Sequence, residues 1–271
     1  MLPAIALGLL IGLVIGGLGG GGGVLAVPAL VYLLGQSAHD ATAGSVIIVG
    51  TAAVVGVLAR IGDRGIDWST GIAFGVVGAP AAYFGTVLNQ RVEQPVLLLV
   101  FAAITLLAAA AMLLNGPEQE PEPAPAAGGG TAVLTRAEVR RGVLSVTAVK
   151  IVICGAVAGL LTGFLGVGGG FLVVPALVVA LGMPMTRAIG TGLLIIVLNA
   201  VAALGSRVGG TGLVDDLDWP VILPFTVAAV IATLVGKRIA DRCSSAALTR
   251  AFAGMLLLVA IGVGVQSALA L

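Results

Sequence analysis

The sequence predicts an all-α, polytopic membrane protein of two inverted repeats, each a glycine-tipped broken or re-entrant helix hairpin followed by three transmembrane helices. Three observations predict it: an apolar composition, an internal duplication covering most of the chain, and a one-sided distribution of Lys and Arg. Of 271 residues, 59% are hydrophobic and 9% charged, whereas a soluble domain carries about a quarter charged residues. The formal net charge is only +1. With neither a basic stripe nor interleaved aromatics, nucleic acid is not an expected partner.

The elements follow in order from the length of helix that a bilayer requires. A hydrocarbon core of ~30 Å takes ~20 apolar residues per crossing, which gives spans at 41–59, 69–89, 95–114, 188–206, 219–236 and 247–269. Residues 2–35 and 150–182 do not fit. Each is too long for one crossing, and each is split by glycines, at "GGGGG" (19–23) and "GVGGG" (166–170). No Lys or Arg precedes the first apolar run and no small-residue cleavage site with a polar flank follows it, so this segment is expected to stay in the protein. Trp68 and Trp219, each after an Asp at a helix entrance, are expected interfacial anchors.

The two misfits are copies of one another. Gly12 to Gly35 aligns without gaps to Gly159 to Gly182 with 16 identities in 24 positions. The likeness continues as Asp67-Trp68 with Asp218-Trp219, Gly85 with Gly236, Arg91 with Arg242 and Phe101 with Phe252, the mark of an internal duplication. Residues 1–114 then form the first transmembrane repeat and 136–271 the second. The linker between them, 115–135, contains "NGPEQEPEPAPAAGGG", whose Pro, Glu and Gly cannot build a core. Thr135 and Glu138 have capping-box spacing for a helix running into the second repeat.

Charge counting selects the topology. If each glycine-split segment crosses once, the halves run parallel and the Lys and Arg residues divide seven to six between the faces. If each enters and leaves on one face, or crosses twice, the second half is inverted. The division is then eleven to two, with only Arg91 and Arg207 on the poorer side. The positive-inside rule places the richer face, with the linker, in the cytoplasm and both termini outside. The repeats are then related by an axis in the membrane plane.

Each hairpin has arms of about fifteen and about twelve residues, ~20 Å and ~18 Å of helix, too short for two crossings. Non-helical backbone survives at that depth only when buried in protein or lining a wet cavity. The returning arms are expected to start after Gly23 and after Gly170, with Pro28 and Pro175 in or near the first turn, where a missing N–H costs little. Their first N–H groups have no intrahelical partner and carry the positive end of the helix dipole. Inverted repeats bring two such ends towards the midplane, where a small anion is the natural guest.

The candidate ligands are therefore backbone groups of Gly19, Gly20, Gly21, Gly22 and Gly23 at one tip and of Gly166, Gly168, Gly169 and Gly170 at the other. Without Cβ atoms the backbone can approach a ligand closely. Ser45, Thr42, Thr191 and Asn199 on neighbouring spans are candidates to complete the site; Ser45 aligns with Gly192 and Gly44 with Thr191. No Asp, Glu, Lys or Arg lies well inside the expected spans, so backbone dipoles would carry the binding. Gly12, Gly16 and Gly20, with Gly155, Gly159 and Gly163, have the spacing by four of small-residue helix contacts. Packing explains that spacing but not runs of three to five glycines.

The doubled pattern G-x-x-x-G-x-x-G-x-G-G-G-x-x-x-x-P-x-L stands as "GLLTGFLGVGGGFLVVPAL" at 159–177 and, more loosely, as "GLVIGGLGGGGGVLAVPAL" at 12–30. It resembles the TauE/SafE sulfite exporter family, over everything but the linker. The resemblance implies a bacterial-type inner (plasma) membrane permease for sulfite, thiosulfate, sulfonates or other small organic anions, often in the export direction. The first half departs from the pattern at Gly20 and in "AGS" at 43–45, where a Thr-Ser pair is common.

Two other classes compete: a passive anion channel with the same site, and a membrane subunit of a larger complex. An enzyme is not expected. There is no G-x-x-x-x-G-K-[ST], no H-E-x-x-H, no Cys/His cluster and no G-x-S-x-G, and the chain holds one His and two Cys. Cys154 and Cys243 are expected to be structural, and no cofactor or metal is expected. His39, and the pairs Asp63 and Arg64, Asp215 and Asp216, and Asp241 and Arg242, are expected to be solvated loop residues. The expected partners are a small anion and the lipid bilayer, with a homodimer left open.

Overall fold

The computed structural model describes residues 2–36, 38–63, 65–89, 92, 94–114, 133–165, 170–208 and 218–269, and among them all regular structure is helical. The first half runs α1 (Leu2–Leu18), α2 (Gly22–Pro28) continued by a π-helical turn Ala29–Leu33, α3 (Ala38–Leu58), α4 (Trp68–Asn89) and α5 (Gln94–Leu114). The second runs α6 (Val133–Leu165), α7 (Gly170–Pro175) continued by a π-helical turn Ala176–Ala180, α8 (Met185–Val208), α9 (Trp219–Ala240) and α10 (Ser245–Leu269). Most of the linker, 115–132, lies outside the described residues. Helix α6 already includes Val133, so Thr135 sits inside the helix rather than at its cap.

The interrupted segments break where the glycines are. Helix α1 ends at Leu18, and α2 starts at Gly22, two residues earlier than expected. The prolines fall elsewhere than expected: Pro28 and Pro175 close α2 and α7 instead of opening them. A proline has no N–H to return to the carbonyl four residues back, and in both arms the next five residues take the wider π geometry. Both arms then stop on a left-handed glycine, Gly35 at φ 69° and Gly182 at φ 63°. The Gln36 N–H donates to Leu30 O at 3.0 Å and the Met183 N–H to Leu177 O at 3.1 Å, a bond one residue wider than the six-to-one bond of a Schellman cap, as the preceding π turn requires.

The returning arms are the centre of the molecule. Val24, Ala26 and Leu30 on one, and Phe171, Val173, Val174 and Leu177 on the other, are buried. The outside is apolar as well: Leu10, Val76, Tyr83, Leu107, Val201, Val227 and Leu258 are all exposed. Water would penalise so many large exposed hydrophobics, whereas hydrocarbon does not. Met185–Leu204, Trp219–Ala240 and Ser245–Gly264 are each long and apolar enough to cross a bilayer. Trp68 and Trp219 stand exposed at the first residues of α4 and α9.

Two close helix seams join the halves, and they are reciprocal. Along α1, a Cβ added to Gly8 would lie 2.5 Å from Phe225 O, one on Gly12 2.6 Å from Ala229 Cα, and one on Gly16 2.7 Å from Thr233 Cα. Along α6, a Cβ on Gly155 would lie 3.3 Å from Phe74 O, one on Gly159 2.7 Å from Gly78 Cα, and one on Gly163 2.8 Å from Ala82 Cα. The glycines spaced by four are thus backbone contacts. Helices α3 and α8 also pack together and run antiparallel: Gly56 lies against Leu193, and Gly50 against Ala200.

Candidate functional site

The first tip is three residues of tight backbone. Gly19 is left-handed, φ 70°, and its N–H donates to Ile15 O at 2.9 Å, closing α1. Gly21, φ 85°, is the N-cap of α2 and has no side chain with which to cap it. The leading amides of α2 are therefore unserved by any capping side chain, and they carry the positive helix end. At the second tip, Gly166, Gly168 and Gly169 lie outside the described residues, and Gly170 opens α7.

These elements meet. A Cβ on Gly20 would lie 2.6 Å from the Gly170 carbonyl oxygen and 3.0 Å from Val174 Cγ2. A Cβ on Gly170 would lie 3.8 Å from Gly20 Cα and 2.5 Å from Ile196 Cδ1. Gly19 is pressed on α8, with 2.5 Å from its Cβ position to Ile189 Cα; Gly192 lies 3.3 Å from Gly19 O on the same measure. The structure thereby gives the extra glycine of the first half a reason. Gly20 stands where the second half has Val167, and it borders a carbonyl that leaves no room for a side chain. Gly22 packs on Ile15 and Ile11, Gly21 on Met255, and Gly23 is buried in the first turn of α2.

The candidate side chains are spread more widely. Ser45 is buried on α3, and Asn199 is half-buried on α8. Thr191 is fully buried, but its Oγ1 accepts the Asp67 N–H at 3.0 Å and its methyl faces Gly71 of α4. The group of α8 that lies against the first tip is Gly192, and Thr191 serves the connection into α4. The side chain of Thr42 lies outside the described residues. Asp67 caps α4: its Oδ1 accepts Ser69 Oγ at 2.7 Å and the Thr70 N–H at 3.1 Å, and its Oδ2 accepts Thr70 Oγ1 at 2.8 Å.

One charge differs from expectation. Arg60 is one of the face charges by sequence, yet it is only 5% exposed. Its guanidinium turns inward, donating to Gly16 O near the end of α1 and, at 3.2 Å, to Gly56 O. Asp63 and Asp241 are exposed, as expected of solvated residues, and both bind Lys237 Nζ, at 2.6 Å and 2.8 Å. A signal for Arg60 was present: Arg207 lies 147 positions on, the offset that relates Gly12 to Gly159. The Arg207 side chain lies outside the described residues.

Among the described residues no cluster of His, Cys, Asp and Glu could hold a metal, and Cys154 and Cys243 are free thiols. A cavity of about 350 Å³ lies between α1 and α2, lined by Leu7, Leu10, Ile11, Leu25, Pro28, Ala29 and Leu33. It is apolar throughout and offers an anion no donor.

Residues 4–263 match the family described as sulfite exporter TauE/SafE. A "Probable membrane transporter protein" of Xylella fastidiosa is 30% identical over 96% of this chain and 94% of its own length. "Probable membrane transporter protein YdhB" of Bacillus subtilis is 24% identical over 92% of this chain and 96% of its own. A similarly named protein of Methanocaldococcus jannaschii is 21% identical over 87% and 86%. No solved structure matches the chain.

Proposed function

The chain belongs to the sulfite exporter TauE/SafE family, as a multi-pass membrane protein related to transporters, and from that premise we propose that it carries small sulfur-containing anions such as sulfite, thiosulfate or organosulfonates. Export across a bacterial-type inner membrane is the proposed direction. The anion is held by the amides of the two glycine tips. One observation carries this reading: Gly20 of the first tip meets Gly170, the first residue of the second returning arm, in the buried centre. A divided helix start in apolar surroundings has strong unsatisfied donors, and a negative solute is what satisfies them.

The reading includes inverted repeats with re-entrant hairpins. Supporting it, α3 and α8, which correspond in the duplication, run antiparallel. The two glycine seams are reciprocal, as a two-fold relation requires. The Asp63 to Lys237 ion pair brings together the ends of α3 and α9, which the seven-to-six topology would put on opposite faces. The eleven-to-two charge division then gives a cytoplasmic linker and external termini.

The contact of Gly20 with Gly170 favours a carrier over an open channel, because an ion needs the two arms to part before it can enter. The test is efflux of labelled sulfite, thiosulfate and taurine from proteoliposomes. Saturable flux of at least one anion above empty vesicles is expected. Flux of none sinks the anion reading, and large unitary currents in planar bilayers replace the carrier by a channel.

A further inference from the structure

The charges at the end of α3 and α9 have no part in the anion site, and they join the two halves. Lys237 Nζ lies between Asp63 Oδ2 of the first half, at 2.6 Å, and Asp241 Oδ2 of its own helix, at 2.8 Å. Beneath them, Arg60 ties the end of α3 to Gly16 O of α1. Three helices are thus pinned at one end: the arm leading to the first glycine tip, α3 and α9. They converge on Thr233, which is fully buried. Its hydroxyl is shared between Ala229 O of its own helix at 2.8 Å and Gly12 O of α1 at 3.1 Å, and a Cβ on Gly56 would lie 3.4 Å from its methyl.

At the opposite end the sequence repeats only part of this set: Arg207 stands in the place of Arg60. By the offset of 151 that relates Gly85 to Gly236, Thr86 stands in the place of Lys237 and Gln90 in the place of Asp241. The duplication kept the glycines and lost, or never had, both the cation and its carboxylate. An exposed ion pair alone holds little. Here one cation is shared by carboxylates of both halves, its side chain is 15% exposed, and it lies over a buried guanidinium.

We propose that Arg60, Asp63, Lys237 and Asp241 form a one-sided ionic gate: shut in this structure, it closes the arginine-rich end of the molecule, and it must break before the first glycine tip can be reached from that end. The gate rests on the carrier reading for its purpose, but its opening can be measured with no substrate at all. Place a reporter thiol by Thr233→Cys in a background carrying Cys154→Ser and Cys243→Ser, and follow its modification by a charged methanethiosulfonate in purified, monodisperse protein.

Lys237→Gln is expected to speed modification about fivefold, the scale of one lost surface-accessible contact, and Asp241→Asn to do so less. Exchanging the charges, Asp63→Lys with Lys237→Glu, returns a cation between two carboxylates and is expected to restore slow labelling. Molar NaCl should act as Lys237→Gln does, and should have no effect once Lys237→Gln is present. Equal labelling rates in the parent, Lys237→Gln and Asp241→Asn overturn the gate, as does an exchange that labels as fast as Lys237→Gln. If instead no anion crosses the membrane while labelling responds as expected, the gate stands and the substrate assignment falls.

Discussion

The seams α1 with α9 and α6 with α4 bring corresponding positions into reach of one another but carry different polar residues. Both bring small residues spaced by four into backbone contact: Gly8, Gly12 and Gly16 meet Phe225, Ala229 and Thr233, and Gly155, Gly159 and Gly163 meet Phe74, Gly78 and Ala82. Their polar residues are repeated only in part. Thr233 Oγ1 is shared between Ala229 O of its own helix and Gly12 O, where the second seam has Ala82, and Lys237 closes the end where the second seam has Thr86; Arg60, which donates to Gly16 O, has Arg207 at the corresponding position. Duplication therefore preserved the steric register of the interface, which any side chain would destroy. The polar fastening was free to differ, because each bond contributes only ~1 kcal/mol.

The largest effects should be symmetric between the seams. Gly12→Leu and Gly159→Leu each force a side chain into backbone atoms of another helix, 2.6 Å and 2.7 Å from the first carbon. Neither obstacle can swing aside. A cost at or above the ~3 kcal/mol upper end of overpacking is expected, read as loss of monodisperse protein and of a cooperative thermal transition. A large difference between the two variants would show that the seams are not sterically equivalent. Gly20→Val comes next, since it installs the residue that the second half has at 167, against the Gly170 carbonyl. Here ~1–3 kcal/mol of stability is at stake, and flux in proteoliposomes is expected to fall by about tenfold or more while the helical content stays.

Much of this was legible in the sequence, because apolar length and glycine punctuation leave a bilayer-spanning chain few choices. The six uninterrupted spans come out within a few residues of α3, α4, α5, α8, α9 and α10. Both breaks lie at the glycine runs, and at the first nothing but glycine adopts φ 70° and φ 85° so cheaply. The prolines were misplaced because the permissive position at a helix start was assumed, whereas here a π-helical turn absorbs the missing N–H at the far end. Thr191 was read as a site hydroxyl from its spacing alone; which face of α8 it occupies, and that Asp67 would claim it, are properties of the packing. Arg60 illustrates the opposite case: charge counting used it only as a face marker, and its inward turn depends on free carbonyls near the end of a neighbouring helix.

Exchanging the hydroxyl between the seams sharpens the comparison further. Thr233→Ala should cost ~1 kcal/mol, the net worth of one buried hydrogen bond. Ala82→Thr should recover part of that amount if the α4 hydroxyl reaches the carbonyl of Gly159 as its counterpart reaches that of Gly12. Guanidinium or thermal unfolding in a fixed detergent reads both. The helix entrances differ in the same fashion: Asp67 caps α4 with its side chain, while Asp218 at the start of α9 makes no side-chain cap bond. Asp67→Ala is expected to cost ~1 kcal/mol, and Asp218→Ala only a few tenths. Equal losses would mean that the two entrances are alike after all.

The smallest effect is the pH response of the fastened end. The hydrogen bond from the Lys237 ammonium, with its charge, holds the Asp63 carboxyl below its ordinary value of 3.8. A carboxylate stabilised in the folded state binds its proton less readily there than in the unfolded chain. Its contribution is therefore complete above 3.8 and is lost as the pH falls through the lower folded value. Melting temperatures followed from about pH 6 to about pH 3 should show an acid limb that Asp63→Asn diminishes, because an amide has no proton to take up and makes no ion pair with Lys237. High salt should flatten the same limb in the parent, since the Asp63 carboxylate is exposed enough for counterions to reach it. A limb indifferent both to Asp63→Asn and to salt would assign the acid sensitivity to some other carboxylate and remove the fastened end as the distinction between the two seams.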